Sequence, residues 1–274
     1  MSRLSSLLRL DAKLAWEHKL VHVTVVVAAV FGALLRFAVP AEFGPDLGEF
    51  GLDIEGLDAL AETTAAWASV TVLEPGASKP PVNQLLVAVL YALDLCILGF
   101  MFGSVMVLQD KEHGTVRYFR VSPGTGFDYV ASKLLVNLGL SLLNFTILTG
   151  FAAPLALLEP ALWLLIVLVC AGMTLVGMSL SMFLRNIAQW FFPMIVVSTL
   201  LALPTYLIVV QTPALAWTWW LPSYHILFGA EAIMFEGAAT APALAALAYA
   251  AVFCALTTLT CVPAVRGRLL REAR

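Results

Sequence analysis

Asp94 is the one carboxylate in the middle of a long apolar run. A charged side chain is costly in the hydrocarbon core of a membrane, so an acid at such a position is a functional hypothesis by default. Asp94 could relay protons, gate a pathway or act as a hydrogen-bonded packing residue, and the sequence leaves these roles open. In a carrier or channel driven by an ion gradient, it would act together with Glu231 and Glu236.

Motifs of nucleotide, peptide or ester chemistry are absent from the sequence. It has no G-x-x-x-x-G-K-[ST] phosphate loop and no H-E-x-x-H metal-ligand pair, and its four histidines are scattered. Ser223 and His225, two positions apart, point to different faces of a helix, and no G-x-S-x-G surrounds them. We therefore expect no catalytic residue, no metal site and no cofactor bound by this chain.

The composition is that of an integral membrane protein. Of 274 residues, 61% are hydrophobic and only 12% are charged, and the mean hydropathy is +0.93. A soluble domain has about twice this share of charged residues. The four cysteines (Cys96, Cys170, Cys254 and Cys261) fall in apolar runs, which indicates small buried packing residues. Cys254 and Cys261 would lie about 10 Å apart along one helix, too far apart for a disulfide.

Six apolar runs are each long enough to cross the hydrocarbon core. They predict an all-α membrane domain covering 1–274, with spans at 20–39, 83–108, 134–158, 161–184, 190–210 and 242–265. A cleavable signal peptide is disfavoured because the polar region before the first run is long and Arg36 interrupts its end. We expect an uncleaved anchor.

Residues 1–19 predict an amphipathic helix lying in the headgroup plane, with leucines on one side and Arg9, Lys13 and Glu17 on the other. Asp11 and His18 fall within its apolar arc and blur it. The alternative is a cytoplasmic extension of the first span.

Two further segments interrupt the apolar runs. Residues 40–82 are acidic and punctuated by Gly and Pro, which indicates an external loop: a solvated face or, alternatively, a vestibule that attracts cations. Residues 211–241 carry interfacial tryptophans and an apolar stretch too short to cross. They predict a re-entrant or interfacial helical hairpin on the outer side, in which Pro222, Tyr224 and Glu231 are the residues of interest.

The basic residues are strongly sorted along the chain. With six spans, thirteen of the 15 Lys and Arg fall on the side of the termini, and only Arg36 and Lys79 fall opposite. The positive-inside rule therefore predicts both termini in the cytoplasm, and a bacterial-type inner membrane is the expected location.

The most charge-dense interruption is residues 109–133, between the second and third spans. The pattern Glu112-x-Gly114-Thr115, then Pro123 and a helix led by Lys133, resembles the E-x-G-T…P…K-L pattern of ABC type-2 export permeases. The helix order along the whole chain is also similar to theirs. The run GTVRYFRVSP makes the chain most similar to drug-export members, including fluoroquinolone export permeases. It departs from the pattern in Arg117, Arg120 and the long acidic loop.

The resemblance implies the membrane subunit of an ATP-driven exporter of an amphipathic substrate such as a drug or lipid. Its expected partners are an ABC ATPase subunit in two copies, which would carry ATP and Mg, and a second permease copy, identical or related; no nucleic acid is expected. The alternatives are the ion-gradient carrier or channel already described, and a membrane scaffold or receptor without substrate flux.

The resemblance also assigns roles to residues of the cytoplasmic coupling hairpin. The residues that would couple to the ATPase are Glu112, Gly114, Thr115, Arg117, Arg120, Ser122 and Pro123. Gly114 would permit a sharp turn, Thr115 would cap the next helix, and Ser122 and Pro123 would end it. The two arginines would pair with acids of the ATPase or with lipid headgroups, or would simply anchor the hairpin at the membrane.

The pathway would form between two permease copies, from parts of the first, second and fifth spans. Its candidate side chains, besides Asp94, are Phe100, Met101, Phe102, Met194 and Tyr206. Aromatic and Met side chains suit an amphipathic substrate, but at helical spacing they are more often ordinary packing residues.

Overall fold

The computed structural model describes residues 3–17, 19–37, 82–116, 125–209 and 213–269, and all regular structure in these residues is helical. Within these ranges, six helices are long and apolar enough to cross a membrane, which confirms the predicted number of spans and identifies a multi-pass membrane protein. Apart from Val82, the acidic loop 40–82 lies outside the described residues.

The helices follow the chain in a simple order. An N-terminal helix, Arg3–Glu17, precedes the first span, Leu20–Phe37. The second span consists of two α-helical segments, Val82–Leu90 and Cys96–Glu112, joined by a π-helical turn, Tyr91–Leu95. The third to sixth spans are Gly126–Ala152, Pro160–Ser181, Ile187–Val209 and Ala241–Ala264. Short helices lie between and after them: the 3₁₀ helices Pro154–Leu158 and Pro213–Trp220, the short helix Pro222–Phe235, and a π-helical turn Val265–Leu269.

The bundle has two ends, which we name by their contents. The hairpin end holds the N-terminal helix, the end of the second span at Glu112, the start of the third at Gly126 and the turn from Ser181 to Ile187. The opposite end holds the 3₁₀ helices and the start of the sixth span. A small separate apolar core, including Val107, Tyr129 and Met178, lies under the hairpin end.

The third span begins eight residues before the predicted position 134. Thr125 and Asp128 form a capping box: the Thr125 hydroxyl accepts from the Asp128 N–H at 3.2 Å, and Asp128 Oδ2 accepts from the Thr125 N–H at 2.8 Å. A capped helix can start in polar sequence, because the cap satisfies the first backbone N–H groups. The connecting hairpin is therefore shorter than 109–133, and Lys133 lies on the third span.

The second and fourth spans pack closely through small residues. A Cβ added to Gly177 would overlap the Phe100 carbonyl oxygen, and one added to Gly103 would overlap the Thr174 backbone. Ser104 Oγ donates to the Gly177 carbonyl oxygen at 2.9 Å across this contact. Small residues let helix backbones approach in a membrane, where no hydrophobic force drives them together. This pair forms the centre of the bundle.

The remaining spans pack around this centre. The first span and the N-terminal helix pack against the third span, and the sixth span packs against the fourth. The fifth span, which contains Pro193 and Pro204, lies at the periphery of the bundle and is mostly exposed.

The four cysteines are free, as the sequence predicted. Cys96, Cys170 and Cys261 are buried packing residues, whereas Cys254 is partly exposed on the sixth span. The prediction that all four are buried is therefore wrong at Cys254, because that position faces the outside of the bundle.

Candidate functional site

Lys111, at the end of the second span, binds the end of the fourth. Its Nζ donates to the carbonyl oxygens of Ser181 at 2.9 Å, Met182 at 3.2 Å and Leu184 at 2.9 Å. The last carbonyls of a helix have no partner within the helix and carry the negative end of its dipole. A lysine ammonium has three donors, so one side chain satisfies the last carbonyl of the fourth span, at Ser181, and two carbonyls of the turn that follows it.

Glu112, the next residue, binds the start of the fifth span. Its Oε1 accepts from the Ile187 N–H at 2.9 Å. The first N–H groups of a helix carry the positive end of its dipole and therefore attract a carboxylate. Asn186 and Gln189 add a second cap: Asn186 Oδ1 accepts from the Gln189 N–H at 2.9 Å.

We call Lys111 and Glu112, together with the turn from Ser181 to Ile187, the clasp. The positive Lys111 binds the C-terminal end of the fourth span, and the negative Glu112 binds the N-terminal end of the fifth. Each charge is opposite to that of the helix dipole at the end that it contacts. The clasp therefore connects the start of the hairpin to the fourth and fifth spans, which are 70 and 75 residues further along the chain.

The other hairpin residues are only partly described. Gly114 adopts φ +70°, a left-handed conformation in which glycine is the default residue. Thr115 borders a small cavity of about 50 Å³, together with His113 and Gln109. Past Val116, the helix that Thr115 was predicted to cap lies outside the described residues, as do Arg117, Arg120, Ser122 and Pro123.

A buried group of charges lies beside this cavity. Lys133 Nζ is 2.7 Å from Asp110 Oδ2 and 3.1 Å from Asp11 Oδ1. The Tyr129 hydroxyl donates to Asp110 Oδ2 at 2.7 Å, and the Ser132 hydroxyl donates to Asp11 Oδ2. We call Asp11, Asp110 and Lys133 the triad. The side chains of all three are 10% exposed or less.

The triad joins the N-terminal helix to the second and third spans. It also explains why Asp11 interrupts the apolar arc of the N-terminal helix, since this side of the helix faces Lys133 rather than lipid. Buried charges must be paired and hydrogen-bonded to be tolerated, and here each carboxylate has Lys133 and one hydroxyl donor.

Asp94 lies in the π-helical turn of the second span and is half-buried. Its Oδ2 accepts from Asn144 Nδ2 of the third span at 2.6 Å. None of the ion pairs among the described residues involves Asp94. In contrast to the triad, this carboxylate has a neutral amide as its partner.

A family model described as ABC-2 family transporter protein matches residues 57–260, most of the chain. The chain belongs to the ABC-2 transporter family. Comparisons with curated proteins and with solved structures gave no match. ABC-2 membrane domains are transport subunits and not themselves catalytic, and they normally pair with an ABC ATPase.

Four of the five aromatic and Met candidates for the ABC-2 pathway pack against other side chains of this chain. Phe100 is fully buried and stacked on Trp190, with ring centroids 6.2 Å apart, and Phe102 is also buried. Met101 and Met194 pack against the same apolar core. In this arrangement these four side chains have packing contacts, and the Tyr206 side chain lies outside the described residues.

At the opposite end, Pro222 is the first residue of the short helix, where its missing N–H has no consequence. The Tyr224 ring contacts Phe228 and His225. Glu231 is half-buried, and its pKa is raised above the usual value, first by burial and then by the nearby Glu236 carboxylate. The placement of this helix relative to the membrane stays a prediction.

The sequence analysis assigned no partners to several polar residues of the hairpin end and of the third span. Asp11 left a signal, since an acid within the apolar arc of a helix needs a buried partner. The polar residues Asn137, Ser141 and Asn144 also left one, because their spacing places them on one face of the third span. Lys111 left no signal that separates it from an ordinary basic residue beside a span.

Proposed function

We propose that this ABC-2 protein is the membrane subunit of an ATP-driven exporter, and that a separate ATPase subunit docks on its hairpin. ATP and Mg would bind to that ATPase, and this chain would supply the pathway. Both termini and the hairpin would face the cytoplasm, across a bacterial-type inner membrane, in agreement with the positive-inside rule.

The observation that carries this proposal is the clasp. A protein that pushes on the hairpin acts on the end of the second span at Glu112 and the start of the third at Gly126. Through Lys111 and Glu112, the same push reaches the fourth and fifth spans. Rigid helices connected in this way can rock together between two packed arrangements, as an alternating-access transporter requires.

Two exposed features support a second copy of the permease. Asp94 is only half-buried within this chain, and contact of its open side with lipid is costly. The fifth span is mostly exposed, with Phe191 and Phe192 among its outward side chains. A second copy, identical or related, together with two ATPase subunits, would enclose both features and form the pathway between the copies.

The proposed substrate is amphipathic, such as a drug or lipid. The apolar spans, the isolated intramembrane carboxylate and the resemblance of the hairpin run to drug-export permeases support this class.

The test is co-purification of the full chain from native membranes, followed by assays of ATP hydrolysis and of transport of an amphipathic probe into inverted membrane vesicles. Glu112→Gln keeps an oxygen that can accept from the Ile187 N–H but removes the charge, whereas Glu112→Ala removes both. We expect an ATPase subunit to co-purify with the native chain, and Glu112→Ala to lower transport per ATP hydrolysed more than Glu112→Gln does.

The control is Glu159→Gln, because this acid lies at the opposite end of the bundle and should change neither quantity. If no ATP-binding protein co-purifies, or if the Glu112 variants transport as the native chain does, the proposed coupling is wrong. Flux that persists without ATP and depends on Asp94 would instead identify a carrier driven by an ion gradient.

A further inference from the structure

The hydrogen-bonding groups around Asp94 are unevenly matched. The Asn144 amide donates to Asp94, but its Oδ1 has no hydrogen-bond partner among the described residues, although Asn144 is fully buried. One turn away, the buried Ser141 hydroxyl lies beside the Cys170 thiol, a weak hydrogen-bonding group, and its Oγ accepts no hydrogen bond from the described residues. This part of the bundle therefore offers a carboxylate, an amide oxygen and a hydroxyl oxygen, and the described donors beside them leave part of this acceptor capacity unused.

A buried acceptor without a partner costs about 1–3 kcal/mol, and such groups are rare unless they have a function. The triad shows how this chain balances a structural carboxylate: Lys133 and hydroxyl donors surround Asp110 and Asp11. No described cation does the same for Asp94. The missing positive charge is therefore best supplied from outside the chain.

The backbone at Asp94 is also unusual. The turn Tyr91–Leu95 is π-helical between two α-helical segments, and such turns occur frequently at functional sites. Asp94 keeps an open side, and Ile97 and Leu98, one turn further along the same face, are also partly exposed. A negative group thus lies beside apolar surface.

We infer that Asp94, Asn144 and Ser141 form a recognition site for the positively charged group of an amphipathic organic cation. This inference rests on the proposed function and adds the substrate class to it. The carboxylate would balance the charge, the two neutral oxygens would accept from any N–H donor, and the apolar surface would contact the body of the molecule. One carboxylate with neutral oxygens suits a single, weakly hydrated positive charge.

The test is ligand binding to the purified full-length chain in lipid nanodiscs, measured by equilibrium dialysis and corrected for empty nanodiscs. Tetraphenylphosphonium and tetraphenylborate are the probes, because they match in size and shape and differ in the sign of the charge. We expect saturable binding of the cation and none of the anion. Asp94→Asn should weaken cation binding by about tenfold or more, as loss of a desolvated charge partner does.

Three variants keep this test decisive. Asp94→Glu retains the charge and should retain most of the binding, which provides a comparison if Asp94→Asn does not fold. Asn144→Leu removes the amide that donates to the Asp94 carboxylate and holds it in place, and should therefore also weaken binding of this cation, which has no N–H group of its own. Glu159→Gln changes a distant acid and should have no effect. Equal binding of both probes, or unchanged binding in Asp94→Asn, would overturn the inference.

The outcome is separable from that of the proposed function, because this binding measurement needs no ATPase. If an ATPase co-purifies and drives transport but the cation does not bind saturably, the recognition site is wrong and the exporter remains. If the cation binds through Asp94 but no ATPase is found, the site remains and the ATP coupling is wrong.

Discussion

Asp110 and Asp94 lie on the same span, sixteen residues apart, and their carboxylates have opposite surroundings. Asp110 is buried at the hairpin end, where Lys133 and the Tyr129 hydroxyl contact it. Asp94 is half-buried in the middle of the apolar run, and in the part of the chain that the structure describes its one hydrogen-bond donor is the Asn144 amide. An acid whose charge is balanced by a lysine of the same chain is part of the scaffold, whereas an acid without a positive partner is the better candidate for a ligand site. Substitution of Asp110 should therefore lower the stability of the protein, whereas substitution of Asp94 should affect ligand binding.

The largest expected effect follows from removing the shared cation. Lys133→Met leaves two buried carboxylates facing each other without a counter-charge, and breaking a buried ion pair on one side costs about 3–5 kcal/mol. We expect a large fall in the thermal unfolding temperature in detergent and in the yield of monodisperse protein.

A triple variant provides the control for Lys133→Met. Adding Asp11→Asn and Asp110→Asn removes the stranded charges and should recover part of the lost stability. If Lys133→Met alone is as stable as the native chain, the triad does not hold the N-terminal helix in place.

A smaller effect is expected at Asp110. Asp110→Asn removes one charge, but Lys133 keeps Asp11 as its partner and the amide oxygen can still accept from Tyr129. Loss of a hydrogen bond to a charged group costs about 1.5–3 kcal/mol. Thermal unfolding should therefore place this variant between the native chain and Lys133→Met, and a loss as large as that of Lys133→Met would contradict the charge balance described above.

Asp94→Asn should leave stability unchanged or raise it slightly. The new amide oxygen can still accept from Asn144, and no charge remains to be desolvated. The same unfolding measurement checks this. A loss comparable to that of Asp110→Asn would mean that Asp94 is a structural residue, and the distinction between the two carboxylates would be lost.

The smallest effect is expected for an exposed pair on the N-terminal helix. Lys13 Nζ and Glu17 Oε1 are 3.5 Å apart, with side chains 72% and 55% exposed. Exposed pairs contribute little to stability because water screens them. Lys13→Ala should unfold at the same temperature as the native chain, and a clear difference would show that the unfolding assay also reports contacts outside the folded interior.

The number of spans and the position of the hairpin could be read from the sequence, because both depend on local properties. A run of about 20 apolar residues is needed to cross the hydrocarbon core, and the turn at Gly114 needs a residue that tolerates positive φ. The start of the third span was also readable, since Thr125 and Asp128 have capping-box spacing, but apolarity alone placed it at 134.

The partners of the charged residues could not be read in this way. Glu112 was predicted to couple to an ATPase and no partner was predicted for Lys111, and within this chain the two residues bind the start of the fifth span and the end of the fourth. The sequence separation is 70 residues or more, and no local pattern reports which helix ends meet. Phe100 and Met194 were ambiguous for the same reason, because a buried and a pathway-facing side chain have the same spacing.

The sequence by itself determined that this is a six-span membrane protein with a charged hairpin and one acid deep in a span, since apolar length and charge placement are properties of the chain alone. The tertiary structure decided which of the acids have a positively charged partner. Lys133 meets Asp11 across 122 residues and Asn144 meets Asp94 across 50, and only packing of the spans brings those groups within hydrogen-bonding distance. The role of a charge inside a membrane depends on that partner.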